Sequence, residues 1–317
     1  MTRICFIGDI HGKKTNPLNR LCDYNEDLFR KLTWVRDYCI ENKIENIIHL
    51  GDIFDKPEAT DEWKNKFIQI WKQYTGTYGY FYSIIGKLHD LFYNIEQSYP
   101  KTCLYNLELS GVLQVLNNTT LNFNTVKLHI LSMHTKEAKE QILKIDKDLC
   151  TTKDNIILAH QFFNWSLDTN AGFTEEELLS IKTNCSLVLG HDHRQYEDTQ
   201  VGCVTVRRPG SLMRTELSET TIQMKPRILI YDNGLWNYVE VPHRDISEIY
   251  NVQEYRAKKQ GAKLFTNLRN NLEDISKYIH QNNDTIIPCS KALKDLNCPS
   301  EEYEYLRTVY QNCCQEF

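Results

Sequence analysis

The sequence predicts an α/β protein built around parallel strands, and three observations carry that reading. Ile47-Ile48-His49-Leu50 is a short apolar run closed by Gly51, the pattern of a buried strand. A similar run, Arg3 to Gly8, precedes it across a stretch of helical periodicity, so that strand, helix and strand form one parallel unit. Carboxylates and imidazoles recur directly after such runs, at Asp9-Ile10-His11, Gly51-Asp52-Ile53-Phe54-Asp55, His89-Asp90, His160 and Gly190-His191-Asp192-His193. The carboxyl edge of the strands is where α/β proteins place their ligand sites. Singly, an Asp after a strand is more often a turn former or a helix cap.

Taken in order, Arg3 to Gly8 is the first strand, and Gly12 lets the chain turn tightly beyond Asp9 and His11. A basic loop leads into a helix from about Tyr24 to Asn42, whose buried stripe is Leu28, Leu32, Val35 and Cys39. Asn46 to Leu50 is the next strand. Asp61 to Tyr74 reads as a helix with Trp63, Phe67, Ile70 and Trp71 on one side, and Tyr80 to Ile85 as a third strand. Val112 to Leu116 and Val126 to Leu131 read as paired strands, followed by a helix over Lys136 to Lys147. Asn155 to Ala159 is a buried strand presenting His160. Thr174 with Glu177 makes a capping-box start for a helix to about Lys182. Ser186 to Leu189 then delivers the Gly190-His191-Asp192-His193 segment. Val201 to Val206, Arg227 to Tyr231 and Trp236 to Val241 read as strands of a second sheet, joined in part by the turn Asp232-Asn233-Gly234. From His243 the pattern is mostly helical, with Leu264, Leu268, Leu272 and Ile275 as a buried face. The chain therefore divides into a domain over 1–242 and a small cap or accessory domain over 243–317.

At 317 residues with 41% hydrophobic content, the chain has the composition of a soluble globular protein. Met1 to Gly8 lacks the layout of a signal peptide, and no later stretch has the uninterrupted apolar length of a spanning helix. Eleven scattered cysteines with no Cys-x-x-Cys pair read as reduced thiols, which implies a cytoplasmic setting. The net charge of -5 argues against holding nucleic acid through global charge alone, but leaves room for a local basic surface. Lys13, Arg20, Arg194, Arg208 and Arg214 lie near the proposed site loops and are candidate phosphate or DNA contacts; the competing reading is solvated loop charge.

Hard carboxylate oxygens mixed with imidazoles suit divalent transition ions such as manganese, iron or zinc. In their order, these residues resemble the calcineurin-like metallophosphoesterases, whose signature runs Asp-x-His, Gly-Asp-x-x-Asp, Gly-Asn-His-Asp or Glu, a lone His, then Gly-His-x-His. The resemblance spans about residues 3 to 240. Within that superfamily the chain is most similar to the Mre11/SbcD nuclease subunits, in particular the phage type. Asn16-Pro17-Leu18-Asn19-Arg20 leading to Asp23-Tyr24, and Arg208-Pro209-Gly210-Ser211-Leu212-Met213-Arg214, carry the narrower match.

The resemblance implies a two-sheet sandwich flanked by helices and two divalent ions, with manganese first among the candidates. It implies that Asp52 bridges both ions, that Asp9, His11 and His193 complete one site, and that His160 and His191 serve the other. Such a pair orients and activates water and neutralises phosphate charge. His89 is carried over as the histidine that contacts the phosphate or protonates the leaving oxygen, with Asp55 orienting it. The remaining histidines, His49, His129, His134, His243 and His280, read as structural or surface residues. One departure stands out. Gly86-Lys87-Leu88-His89 replaces Gly-Asn-His, so Leu88 stands where a ligand asparagine is expected and the second ion site is expected to be weak.

The function implied is hydrolysis of DNA by an exonuclease or endonuclease subunit in repair or recombination. Its partners would be DNA, a Rad50/SbcC-like ATPase docking on the C-terminal region, and in a homodimer a second copy. Its location would be the cytoplasm, the host's if the chain is phage-encoded. The alternatives are a phosphatase or phosphodiesterase for small phosphoesters, and a DNA-end-binding subunit with weakened catalysis.

Overall fold

The computed structural model of the chain describes residues 2–17, 19–86, 90, 98–164 and 172–260. It is an α/β sandwich of two mixed six-stranded sheets flanked by helices, as the family resemblance implies. The first sheet grows from β1 (Arg3–Ile7), α1 (Tyr24–Glu41), β2 (Asn46–His49), α2 (Asp61–Thr77), β3 (Tyr80–Ile84), α3 (Cys103–Leu109) and β4 (Gln114–Leu116). Within it β1, β2, β3 and β4 run parallel. The second sheet is built from β5 (Thr119–Asn122), β6 (Val126–Ile130), β7 (Asp154–His160), β10 (Cys185–Gly190), β11 (Thr199–Val201) and β12 (Val204–Arg207). Between β6 and β10 the chain forms α4 (Thr135–Ile142), the short pair β8 (Phe162–Phe163) and β9 (Gly172–Phe173), and α5 (Glu175–Leu179). After α6 (Glu219–Gln223), β13 (Arg227–Asp232) and β14 (Leu235–Glu240) return to the first sheet, and α7 (Ile246–Ile249) follows.

The two-residue period of a strand explains why β1 and β2 are apolar on both faces. Ile4, Phe6, Ile48 and Leu50 meet Leu128, Ile156, Leu158 and Val188 of the other sheet in the centre of the sandwich. Cys5, Ile7 and Ile47 point the other way, into a layer with Leu28, Leu32, Val35 and Cys39 of α1 and Phe67 and Trp71 of α2. A matching outer layer covers the second sheet, where Ala138 and Ile142 of α4 and Leu178 of α5 pack on Ile157, Leu187 and Leu189. The helices start where their caps dictate. Asp23 accepts the Glu26 amide at 2.7 Å, and Thr174 and Glu177 form the reciprocal capping box anticipated from sequence. That helix ends at Leu179, short of the expected Lys182.

Strands and their partners differ from the sequence reading in three places. Residues 112–116 and 126–131 do not pair: β4 borders β3 in the first sheet, and β6 lies beside β7 in the second. The antiparallel partner of β6 is β5, Thr119-Thr120-Leu121-Asn122, an edge strand too polar to be recognised by apolar pattern. Val201 to Val206 is a hairpin, β11 turning into β12 through Gly202 at φ 55°. The strands over 227–241 join the first sheet, because β13 pairs antiparallel with β1, where the register partners Arg3 and Asp232 form an ion pair at 3.0 Å.

Two compact units divide the chain, Met1–Tyr250 and Asn251–Phe317. The segment 243–250, which sequence periodicity groups with the C-terminal part, belongs to the first unit: Ile249 and Tyr250 are buried, and the Tyr250 hydroxyl donates to the Arg214 carbonyl at 3.2 Å. In the second unit residues 252–260 are helical, while Leu264, Leu268, Leu272 and Ile275 lie outside the described residues. Every cysteine among the described residues is free, and no helix among them is long and apolar enough to cross a membrane.

Candidate metal centre

Five strand ends from both sheets deliver their following residues to one place. Asp9 and His11 come after β1, Asp52 after β2 and Asp90 beyond β3, while His160 closes β7 and His191 and His193 follow β10. The loops are laced together by backbone hydrogen bonds. His11 N donates to the Asp52 carbonyl at 3.0 Å, Gly12 N to Ile53 O at 2.8 Å, and Asp55 N returns to Gly12 O at 3.0 Å. Three of the six donors carry left-handed backbone, His11 at φ 43°, Asp52 at φ 57° and His191 at φ 83°. Each such non-glycine position costs on the order of 1–3 kcal/mol and persists where surrounding contacts over-determine it, which is common at functional sites.

The donors fall into two groups, Asp9, His11 and His193, and Asp52, His160 and His191, with the ligand atoms of each group within 4.8 Å of one another. His160 Nδ1 lies 2.7 Å from the Leu50 carbonyl, which can only accept, so the proton sits on Nδ1 and Nε2 is turned toward Asp52 Oδ2 at 3.2 Å. His11 Nε2 and His193 Nε2 face each other at 2.8 Å. Asp9 Oδ2 and both Asp52 carboxylate oxygens are buried without a well-formed hydrogen bond. Acceptors aimed at one another in a dry site repel unless positive charge lies between them, so this donor set fits divalent cations. Asp52, a member of the second group, also approaches the first, with Oδ2 3.7 Å from His11 Nε2 and 3.2 Å from His160 Nε2.

Electrostatics agree with the geometry. Burial raises the Asp9 carboxyl, but the imidazoles of His160, His11 and His193 outweigh it and hold the group well below the usual range. The same opposition, burial against His160 and His11, leaves Asp52 lowered. Burial disfavours charge on His160, yet Asp52 and Asp9 raise it to about 9. A metal ion held by His160 would therefore displace its proton at neutral pH. The sign follows directly: below about 9 the proton competes, so apparent metal affinity falls as pH falls, by up to about tenfold per pH unit for one displaced proton. Titration calorimetry of manganese at pH 7, in buffers of different ionisation enthalpy, should show proton release. Uptake without proton release, at an affinity unchanged between pH 7 and 8.5, would remove His160 from the ligand set.

Asp55, expected to orient His89, accepts from Lys13 Nζ. His89 itself lies outside the described residues, as do Lys87, Leu88 and Asn94, and with them the departure from Gly-Asn-His. Of the candidate phosphate contacts, three are turned inward. The Arg20 side chain is buried against Asp27 at 3.0 Å, donates to Arg214 O and stacks on Tyr24 and Tyr250. Arg214 is spent on the carbonyls of Arg244 and Met224, and Arg208 is stacked 3.8 Å from the Tyr196 ring centroid with a hydrogen bond to Thr199. These arginines are framework, because each is buried and its guanidinium is turned to groups of the protein and not to solvent. The Arg208-to-Arg214 stretch instead braces the centre: Ser211 Oγ and Leu212 N both donate to Asp9 O, at 2.8 and 2.9 Å, and Ser211 N donates to His193 O at 3.0 Å. Arg194 and Lys13 remain nearer solvent; Arg194 is held by a bidentate contact with Asp192 at 2.9 Å.

Beside the donors opens a cleft of about 830 Å³, lined among others by Asp52, His193, Arg194, Phe162, Tyr196 and Met224. Sequence reasoning did not assign roles to Asp192, which orients Arg194, or to Asp90, whose carboxylate is fully buried beneath Asp52 and accepts from backbone amides. The signal for Asp90 was its place as the acidic residue that closes the Gly-Asn-His-Asp or Glu signature.

A two-sheet sandwich that gathers carboxylate and imidazole donors at the strand ends of both sheets defines a metal-dependent phosphoesterase. The chain belongs to the calcineurin-like phosphoesterase family, which matches residues 2–195. It is also similar to the DNA double-strand break repair protein Mre11 of Sulfolobus acidocaldarius, with 24% identity over 325 residues, covering 98% of this chain and 82% of the relative.

Proposed function

We propose that the protein is a phosphodiesterase acting on DNA, the nuclease subunit of a repair or recombination complex. The observation that carries this reading is the pairing of two donor groups around Asp52 at the mouth of a cleft large enough for a nucleotide. Similarity along nearly the whole chain to a double-strand break repair protein supports DNA as the substrate. Asp9, His11 and His193 would hold one divalent ion and His160 and His191 the other, with Asp52 between them. Two such ions, for which manganese is the first choice, would supply positive charge against the phosphate and a site where water is acidified. His89 would supply a proton to the leaving oxygen, and Lys13 and Arg194 are the basic groups left to meet the DNA backbone. With a net charge of -5, the isolated chain would bind DNA weakly and in a salt-sensitive way. An ATPase partner of the Rad50/SbcC type, docked on the C-terminal unit, would supply the remaining grip. Free thiols throughout the described residues suit a cytoplasmic setting.

The test is end-labelled duplex DNA incubated with protein and manganese, run beside a chromogenic phosphodiester. Both substrates should be hydrolysed, and chelation should stop both. Hydrolysis of the chromogenic diester with single- and double-stranded DNA left intact would favour a small-phosphoester enzyme. DNA binding with no turnover of either substrate would make the protein a binding subunit.

A further inference from the structure

Asp90 is a carboxylate with no solvent exposure. Its three described hydrogen-bond partners are backbone amides: Asp52 N at 2.9 Å, Gly86 N at 2.9 Å and Phe54 N at 3.3 Å. A buried carboxylate is expensive unless its lone pairs are satisfied, and orphaned amides are expensive in turn, so the four groups hold one another in place. The amides belong to the ends of adjacent strands, β2 and β3. One of them is that of Asp52, which adopts φ 57° directly after Gly51 at φ 94°. The Asp52 carbonyl is pinned from the opposite side by Ile10 N at 3.3 Å and His11 N at 3.0 Å. Gly86 lies so close that a Cβ there would sit 1.8 Å from Asp52 Oδ1, which places the β3 terminus directly against the shared carboxylate. Asp52 thus has its backbone fixed at both the amide and the carbonyl, while its side-chain oxygens are left for ligation.

We propose that Asp90 is a positioning residue for the metal centre: by clamping the amides of Asp52, Phe54 and Gly86 it sets the direction of the Asp52 carboxylate between the two donor groups. The inference rests on the metal-centre reading above. Removing an outer partner of a metal ligand typically lowers metal affinity by about 10–100-fold. Asp90→Asn keeps the shape but offers one acceptor oxygen and turns an NH₂ toward an amide donor. Manganese binding to wild type and variant, followed by calorimetry and by the electron paramagnetic resonance signal of bound manganese, should show affinity weaker by about 10–100-fold. Substrate KM measured at saturating manganese should stay near the wild-type value. A variant that melts lower but binds manganese with wild-type affinity, stoichiometry and spectrum would make Asp90 merely structural and overturn the inference. Should Asp90→Asn not yield folded protein, Asp90→Glu keeps both acceptor oxygens and is read in the same assay. Weakened binding supports the clamp and unchanged binding overturns it. Wild type that takes up no manganese would overturn the metal-centre reading itself, and this inference with it.

Discussion

Replacing Asp52 with asparagine is expected to abolish phosphodiester hydrolysis and to strip metal from the protein together. The side chain is buried and aimed between the two donor groups, with Oδ2 3.2 Å from His160 Nε2 and 3.7 Å from His11 Nε2. Asparagine keeps the shape and removes the charge, so one of only two carboxylates in the donor set is lost where both ions would share it. The amide also withdraws the largest influence raising His160, whose ring then has less reason to attract a cation of any kind. Metal-ion catalysis is worth several kcal/mol, and each 1.36 kcal/mol is tenfold in rate, so the loss should be at least about 10³-fold. Turnover of a chromogenic phosphodiester and elemental analysis of the dialysed protein check it, with circular dichroism confirming a folded variant. Full metal content at full rate would refute the assignment of Asp52.

The second large effect is expected at His89. As a proton donor it should matter to chemistry and little to metal retention, so His89→Ala should lower turnover by about 10²–10⁴-fold with metal content near wild type. The motive is its place in the family signature, next in sequence to Asp90, which is anchored to the Asp52 turn at 2.9 Å. A substrate with a good leaving group should lose less than one with a poor leaving group, because only the latter needs the proton. Metal loss in this variant would instead identify His89 as a ligand, and equal losses for both substrates would exclude the acid role.

Much of the centre could be read from the chain because metal ligation depends on residue type at strand ends, and both are local properties. Asp9, His11, Asp52, His160, His191 and His193 each lie at the end of an apolar run or within four residues of it, and the structure brings all six together. The helix stripes of α1 and α2 and the cap at Thr174 follow from the same short-range periodicity. Strand partnership was less accessible. A polar edge strand such as β5 has no apolar signature, and nothing near β13 in sequence indicates that it pairs with β1.

Charge was the least legible feature, since an arginine in a loop looks the same in sequence whether it faces solvent or an interior. Arg20 is buried by Asp27 from the next helix and by Tyr250, which arrives from the end of the same compact unit. Arg214 is buried by the carbonyls of Met224 and Arg244. Asp90 likewise acquires its partners from three separate backbone positions. The sequence by itself determined the apolar periodicities and which residue types follow the strand ends, because covalent order supplies residue type and spacing directly; the choice of six donors among them came from the family resemblance. The tertiary structure alone decided which charges are framework and which carboxylate braces the centre, because desolvation and hydrogen-bond satisfaction depend on neighbours that only long-range packing brings into contact.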